Sequence, residues 1–151
     1  MKIIPSIAHL ATLKGQEVAV SEWLSIAQER IQQFADATGD HQWIHVDPVR
    51  AAAGPFGAPI AHGFLTLSLI PWFFDHSLVV EGCRMGVNYG LNKVRFVAPV
   101  PVNSRLRARM TLLDAEPIAG NGHQFTWRVT VEREGADKPV CVAESLARLY
   151  P

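Results

Sequence analysis

The spacing of apolar residues changes along the chain, and each spacing predicts a different element. Apolar side chains recur at helical spacing between Ile31 and Ala35, and Gly39 supplies a left-handed residue that ends this helix. The segment Ser25–Gln28 has the form of a capping box, which predicts a helix start there. Nearer the N-terminus, the pattern predicts a short helix over residues 6–14 and a strand over residues 16–20.

The stretch from His62 to Phe74 is apolar on nearly every side, which predicts a helix buried all round. Pro71 either kinks this helix or starts a second helical piece. Between the two main helices, Asp47 and Pro48 predict the N-cap and first turn of a short helix over residues 49–53. Residues 40–45 are predicted to form a loop, because they follow the helix stop directly.

After Gly82 the apolar residues alternate, which is typical of strands. The alternation changes phase near Gly90, and this predicts a β-bulge. Three further alternating runs follow at residues 105–112, 125–131 and 139–149, which predict an antiparallel sheet with one covered face. A run of meander strands beside one buried helix predicts a single α+β domain over residues 1–151, with the sheet wrapped around the helix.

Composition narrows the functional classes. The 14 Lys and Arg residues balance the 14 Asp and Glu residues, which argues against nucleic acid as a partner. The longest apolar run is too short to span a bilayer and no secretory signal is evident, so we expect no membrane association and a cytoplasmic location. Cys83 and Cys141 are the only cysteines, and reduced thiols buried in strands are the simplest interpretation.

Two proton-handling side chains lie close together in the sequence. Asp40 and His45 are five residues apart, and Gly63 follows His62 at the start of the apolar helix. A neutral imidazole suits a general base, a carboxylate in a dry site can shuttle a proton, and free N–H groups at a helix start can stabilise a developing oxyanion. Taken alone, Asp40 is better explained as a turn former and His45 as a half-buried, hydrogen-bonded histidine.

Several neighbouring residues have two interpretations each. His62 either orients the loop or lines the pocket, and Gln42 either bonds a neighbouring loop or contacts the substrate. Asn88 and Asn92 lie in a strand-like segment where Asn is disfavoured, so one is expected at the bulge and the other at the site. Asp47 is expected to be only a helix cap.

A charged pair and a possible ion site complete the candidates. Lys93 and Arg95 either meet phosphate groups or belong to a solvated sheet face. Asp40, His45 and His62 match no usual zinc spacing, so we expect no metal ion.

Two sequence runs carry a resemblance to a known family. The run FADATGDHQWIHVDPVRAAAGPFGAPIAHGFL, from Phe34 to Leu65, resembles the MaoC-like, (R)-specific enoyl-CoA hydratases. The run NYGLNKVRF, from Asn88 to Phe96, is similar to the NodN-like branch of that family. Gln42-Trp43 stands where the wider family often has Asn-Pro, as it does in that branch. The likeness extends over nearly the whole chain.

The resemblance implies a hotdog fold, usually dimeric, that acts on acyl thioesters of coenzyme A. It implies that Asp40 and His45 are the catalytic pair and that the reaction is reversible hydration of a trans-2-enoyl thioester to the (3R)-hydroxyacyl product. Coenzyme A is then part of the substrate, so no separate cofactor is expected. A thioesterase on the same scaffold and a non-catalytic acyl-thioester-binding module are the alternatives.

Overall fold

The computed structural model describes residues 1–151 as eight strands and six helices. The strands are β1 Lys2–Ile4, β2 Glu17–Val20, β3 Leu24–Ser25, β4 Leu78–Val80, β5 Met85–Arg95, β6 Arg105–Ile118, β7 Gly122–Arg133 and β8 Cys141–Tyr150. The helices are α1 Ile7–Ala11, α2 Gln28–Thr38, α3 Trp43–Val46, α4 Pro48–Ala52, α5 Gly63–Ser68 and α6 Ile70–Asp75. No helix is both long and apolar enough to cross a membrane.

One antiparallel sheet organises the molecule. Its strands lie in the order β2-β6-β7-β8-β5, and β3 also pairs with β6. Alternate residues of β6 and β7 are buried, as the period-two pattern predicted: Leu106, Ala108, Met110, Leu112, Phe125, Trp127, Val129 and Val131. The other face of these strands carries ion pairs, such as those of Arg107 and Arg109 with Glu132. The prediction of an antiparallel sheet with one covered face is therefore confirmed.

The apolar helical segment follows one of the two alternatives given for Pro71 and differs from the prediction in its burial. It consists of two short helices, α5 and α6, that meet at Leu69, and Pro71 lies in the first turn of α6, where its missing N–H has no consequence. The segment is not buried all round, because Phe64 is 69% exposed while Leu65 and Phe73 belong to the core. One face of this segment is therefore open in the single chain.

The predicted capping box is wrong, although the helix after it is real. Ser25 lies in β3 and pairs with Arg105 of β6, so its backbone is extended and its hydroxyl caps nothing. The helix begins two residues later than predicted, with Ala27 as its N-cap, and ends at Gly39 with a φ of 80°, as expected. The Gln28 side chain donates to the main-chain oxygen of His45 at 2.8 Å instead of bonding the helix start.

Strand β5 forms an exposed edge of the sheet. Its pairing with β8 shifts between Asn88 and Gly90, which confirms the predicted bulge, and shifts again between Leu91 and Lys93. All residues of β5 except Val94 are exposed. The long edge thus leaves a row of backbone groups and apolar side chains without a partner in the single chain.

The two thiols differ from each other. Cys141 begins β8 and is buried, and burial raises its thiol pKa to about 11. Cys83 is only half-buried and precedes β5, so the expectation that both cysteines are buried in strands is wrong for Cys83.

Candidate active site

His45 lies on a one-turn helix where a loop was expected. Helix α3 spans Trp43–Val46. The main chain of Ile60 forms hydrogen bonds with two residues of this helix, Ile44 and His45. The Ile60 N–H donates to the Ile44 oxygen at 3.0 Å, and His45 Nδ1 lies 2.6 Å from the Ile60 oxygen. Ile60 is itself fixed on its other side by a bridge to Pro101. The imidazole is therefore held by chain segments distant in sequence.

The contact with Ile60 determines which ring nitrogen of His45 carries the proton. A carbonyl oxygen only accepts, so Nδ1 carries the proton and Nε2 of the neutral ring keeps its lone pair. The side chain is 6% exposed, and burial lowers the pKa of His45 below its ordinary value, which the neighbouring His62 also favours. The ring is thus neutral near pH 7 and presents a free basic nitrogen.

Asp40 follows the left-handed Gly39 directly and lies at the mouth of the site. Its Oδ1 accepts the Gln42 N–H at 3.3 Å, which is the local turn contact that its position in the sequence indicated. Its side chain is 54% exposed, and Oδ2 lies 4.0 Å from His62 Nε2. One carboxylate oxygen thus remains available beside the two histidines.

His62 is buried between the other two residues. Its side chain is 3% exposed, and its Nε2 donates to the main-chain oxygen of Asp40 at 2.9 Å. Its ring stacks on that of His45, with centroids 3.8 Å apart and an interplanar angle of 24°. The Nδ1 atom of His62 is buried and has no hydrogen-bond partner.

The structure therefore brings Asp40, His45 and His62 together, with one donor atom from each lying within 4.8 Å of the others. Such a distance would allow a metal ion. Histidine lone pairs lie in the ring plane, however, and those of two stacked rings run side by side rather than toward one point. The arrangement better suits a water molecule shared by the carboxylate and an imidazole, and the expected absence of a metal stays a prediction.

Gly63 places a free backbone donor next to this cluster. It is the first residue of α5, and the first return bond of the helix runs from Thr66 N to His62 O. The Gly63 N–H therefore has no acceptor within its helix. A Cβ at this position would lie 2.8 Å from a ring carbon of Phe96, so the site leaves no room for a side chain there.

The remaining candidates lie outside the cluster. Gln42 is the exposed N-cap residue of α3, and its side chain makes no capping bond. Asn92 donates to Glu144 at 2.6 Å, and Asn88 lines a separate cavity. Lys93 lies opposite Glu144 in the sheet register, and Arg95 bonds the main-chain oxygen of Val94.

Both asparagines are adjacent to irregularities of β5, and none of these residues joins the three clustered donors. Their proposed roles stay predictions. Asp47 behaves as predicted, since it caps α4 by accepting the Arg50 N–H. His41 is exposed and paired with Asp36.

One residue of the site was missed by the sequence interpretation. Gln28 bonds the His45 main-chain oxygen from α2, and its Oε1 is buried without a partner. The capping-box pattern offered a local explanation for Gln28 that concealed this contact. A half-buried polar side chain on the inner side of a helix was the only available signal.

An apolar cavity of about 510 Å³ lies between α6, β4 and the β5–β8 pair. Phe74, Cys83 and Trp127 are among its lining residues. A second cavity of about 330 Å³ reaches Leu67 and Ser68 of α5, and the two cavities share Pro71 and Asn88. The two cavities therefore lie next to each other at Pro71 and Asn88.

The chain is similar to known proteins over most of its length. The family described as "MaoC like domain" matches residues 9–134. The chain is 55% identical to 3-hydroxyacyl-thioester dehydratase Z of Mycobacterium tuberculosis over 148 residues, which cover 98% of each chain. It is 44% identical to Nodulation protein N of Rhizobium meliloti over 144 residues, which cover 94% of this chain and 89% of that one.

A solved structure extends the comparison to the fold. The unliganded R-hydratase PhaJ1 of Pseudomonas aeruginosa aligns with a TM-score of 0.69 and 28% identity, over 91% of this chain and 81% of that one. The predicted α+β hotdog fold is confirmed. The chain belongs to the MaoC like domain family.

Proposed function

We propose that this protein catalyses the reversible hydration of trans-2-enoyl-CoA to (3R)-3-hydroxyacyl-CoA. The observation that carries the proposal is the free Nε2 of a neutral, buried His45 close to the Asp40 carboxylate. The 55% identity to a 3-hydroxyacyl-thioester dehydratase, over nearly the full length of both chains, supports the same reaction class.

The residues suggest a division of roles. His45 Nε2 takes a proton from a water molecule held with Asp40 while the water oxygen attacks C3 of the enoyl group. The electron pair of the double bond moves toward the thioester carbonyl, whose oxygen gains charge and accepts a hydrogen bond from the Gly63 N–H. The proton that His45 took from the water is then delivered to C2, either directly or by way of the Asp40 carboxylate, which returns both side chains to their starting state.

The cavities support an acyl substrate. Helix α5 begins at the site with Gly63, and the first cavity opens at Leu67, about 6 Å further along the helix axis. The larger cavity adjoins the first at Pro71 and Asn88, and 10 of its 14 lining residues are hydrophobic. In the proposed complex, an acyl chain extending from the thioester buries its apolar surface in these two cavities. Phe74, at the end of the apolar helical segment, lines the larger cavity.

We propose that the working form is a homodimer. Val87, Tyr89 and Leu91 are 41%, 53% and 45% exposed on the unpaired edge strand β5, and Phe64 is 69% exposed on the open face of α5. A second copy related by two-fold symmetry would extend the sheet across the two β5 edges and cover these side chains. Because Phe64 adjoins Gly63, such an interface would also reduce the exposure of the site to water.

An assay with crotonyl-CoA tests the proposed activity through the loss of enoyl absorbance. The variants Asp40→Asn and His45→Gln are expected to lower kcat by at least about 100-fold, the usual contribution of a general acid or base. His41→Gln is the matched control, because His41 is a nearby histidine that faces solvent and pairs with Asp36. Unchanged absorbance with the native protein, or equal rates in all variants, would reject the hydratase. Release of free thiol would identify the thioesterase alternative.

Sedimentation analysis tests the homodimer. Val87→Lys places a charge on the exposed edge strand and is expected to produce a monomer at micromolar concentration. Lys138→Glu is a charge-changing control on the loop between β7 and β8, away from β5. A native protein that sediments as a monomer at all concentrations would contradict the proposal.

A further inference from the structure

We infer that His62 is a positioning residue that holds the Asp40 main chain and the His45 ring in fixed relation to each other, an inference that rests on the proposed hydratase function. His62 contacts both members of the pair: Nε2 bonds the Asp40 oxygen at 2.9 Å, and the ring stacks on His45 at 3.8 Å. Phe34 packs on the ring with a centroid distance of 4.9 Å.

The hydrogen bond defines which ring nitrogen carries the proton. The Asp40 carbonyl only accepts, so His62 Nε2 bears the hydrogen and Nδ1 is a bare acceptor in the neutral ring. That acceptor is buried without a partner, an arrangement that lowers the stability of the folded state. A side chain that only filled space would avoid this cost if it were apolar. An imidazole makes both observed contacts, because its flat ring stacks on His45 and the N–H at its far edge donates to the Asp40 oxygen.

The bond from His62 is also the main external constraint on the loop that carries Asp40. The other hydrogen bond of Asp40 is local, from Gln42 N to Oδ1. The contact from His62 spans 22 residues and comes from the N-cap of α5, which is itself followed by the candidate donor Gly63. His62 therefore ties the carboxylate, the basic imidazole and the oxyanion donor into one unit.

Two substitutions separate the two contacts. His62→Phe keeps a flat ring against His45 and Phe34 but removes the donor to Asp40. His62→Gln keeps a donor that can reach the Asp40 oxygen but removes the stacked ring. His76→Phe is the matched control, because His76 also stacks on an aromatic ring and bonds a main-chain oxygen, both belonging to Trp72, outside the site.

We expect His62→Phe to lower kcat for crotonyl-CoA by about 10- to 100-fold, since misplacing a reacting group by 1 Å costs up to about 100-fold. KM should change by less than about threefold, because the inferred role of His62 is to position the catalytic pair and not to bind the substrate. His62→Gln should recover at least about fivefold of the lost kcat, as one hydrogen bond of about 1 kcal/mol predicts. His76→Phe should match the native enzyme. Thermal unfolding of each variant is the control that tests whether its fold is retained.

Imidazole ¹⁵N NMR of the native protein provides a readout independent of activity. We expect the Nε2–H tautomer for His62 and the Nδ1–H tautomer for His45, assigned by comparison with the variants. The inference is overturned by a His62 Nδ1–H tautomer, by a native-like kcat in His62→Phe, or by a His62→Gln variant that folds but is as slow as His62→Phe. Expected tautomers in a protein inactive toward every enoyl-CoA would instead support the His62 contacts and reject the proposed function.

Discussion

Gly63→Ala probes the backbone donor with the smallest possible change. The added Cβ would lie 2.8 Å from Phe96 Cδ2 and 2.9 Å from Cγ and Cε2 of the same ring. Ordinary carbon contacts are about 3.5–4.0 Å, so the ring must retreat by roughly 0.7 Å or more. Phe96 is 44% exposed and has room to move, and Ala gains up to about 1 kcal/mol of helix propensity over Gly. We therefore expect the free energy of unfolding to change by less than about 1 kcal/mol.

The same methyl group should be far more costly for catalysis. It would stand beside the only main-chain donor that we assign to the thioester oxygen, where the substrate must approach closely. Loss of one oxyanion donor typically lowers kcat by about 100- to 1,000-fold. Gly63→Ala should therefore lower kcat for crotonyl-CoA by about 100-fold, with an unfolding temperature within about 4 °C of the native value.

The variant pair with Phe96→Ala separates access to the donor from displacement of the ring. Initial rates and thermal unfolding are measured for Gly63→Ala, Phe96→Ala and the double variant. We expect the double variant to have room for the methyl group but to remain slow. A Gly63→Ala enzyme within threefold of the native kcat would refute the donor role. Full recovery in the double variant would also refute it, because the loss would then come from the ring alone.

Four further predictions concern His45, Gln28 and the larger cavity. As pH falls, kcat/KM should decrease with a midpoint below about 6.5, because the lowered pKa of His45 keeps its base form until then; a midpoint above 7 would contradict this. The free energy of unfolding should also decrease as pH falls. As pH drops, His45 is protonated in the unfolded chain at a higher pH than in the folded chain, so the decrease runs from about pH 6.5 toward the lower pKa of the folded state. Gln28→Leu should lower the free energy of unfolding in urea by about 1–3 kcal/mol by leaving the His45 oxygen unpaired, whereas Gln32→Leu, which removes an exposed bond to Asp36, should have little effect. Ala147→Leu, which narrows the larger cavity, should lower kcat/KM for octenoyl-CoA at least about tenfold more than for crotonyl-CoA, and equal losses would exclude that cavity as the acyl site.

Local patterns predicted the elements whose causes are local. Alternation placed the strands, because side chains of a strand point to opposite faces whatever the strand pairs with. The phase change near Gly90 located the bulge, since an extra residue reverses the alternation that follows. Gly39 ended α2 because its φ of 80° is accessible to Gly without a steric cost.

Features that depend on distant partners were predicted wrongly. Ser25 has the local form of a capping residue, but its pairing with Arg105, 80 residues away, holds it in a strand. The one-turn helix around His45 exists where a loop was expected because the main chain of Ile60 bonds to it. The apolar stretch after His62 indicated burial on every side, whereas Phe64 is exposed within one chain. An apolar sequence indicates that a surface becomes buried, but it does not show whether the same chain or another chain buries it.

The site itself combines both kinds of information. Side-chain identity marked Asp40, His45 and His62, but two of the contacts that orient them end on main-chain oxygens, those of Ile60 and Asp40. A main-chain oxygen is present at every residue and leaves no trace in the sequence. The tautomers of both histidines, and hence the nitrogen available for proton transfer, follow from these two oxygens. Substitution of an accepting residue leaves its oxygen in place, so mutational tests of this geometry must act on the donors, as the His62 variants do.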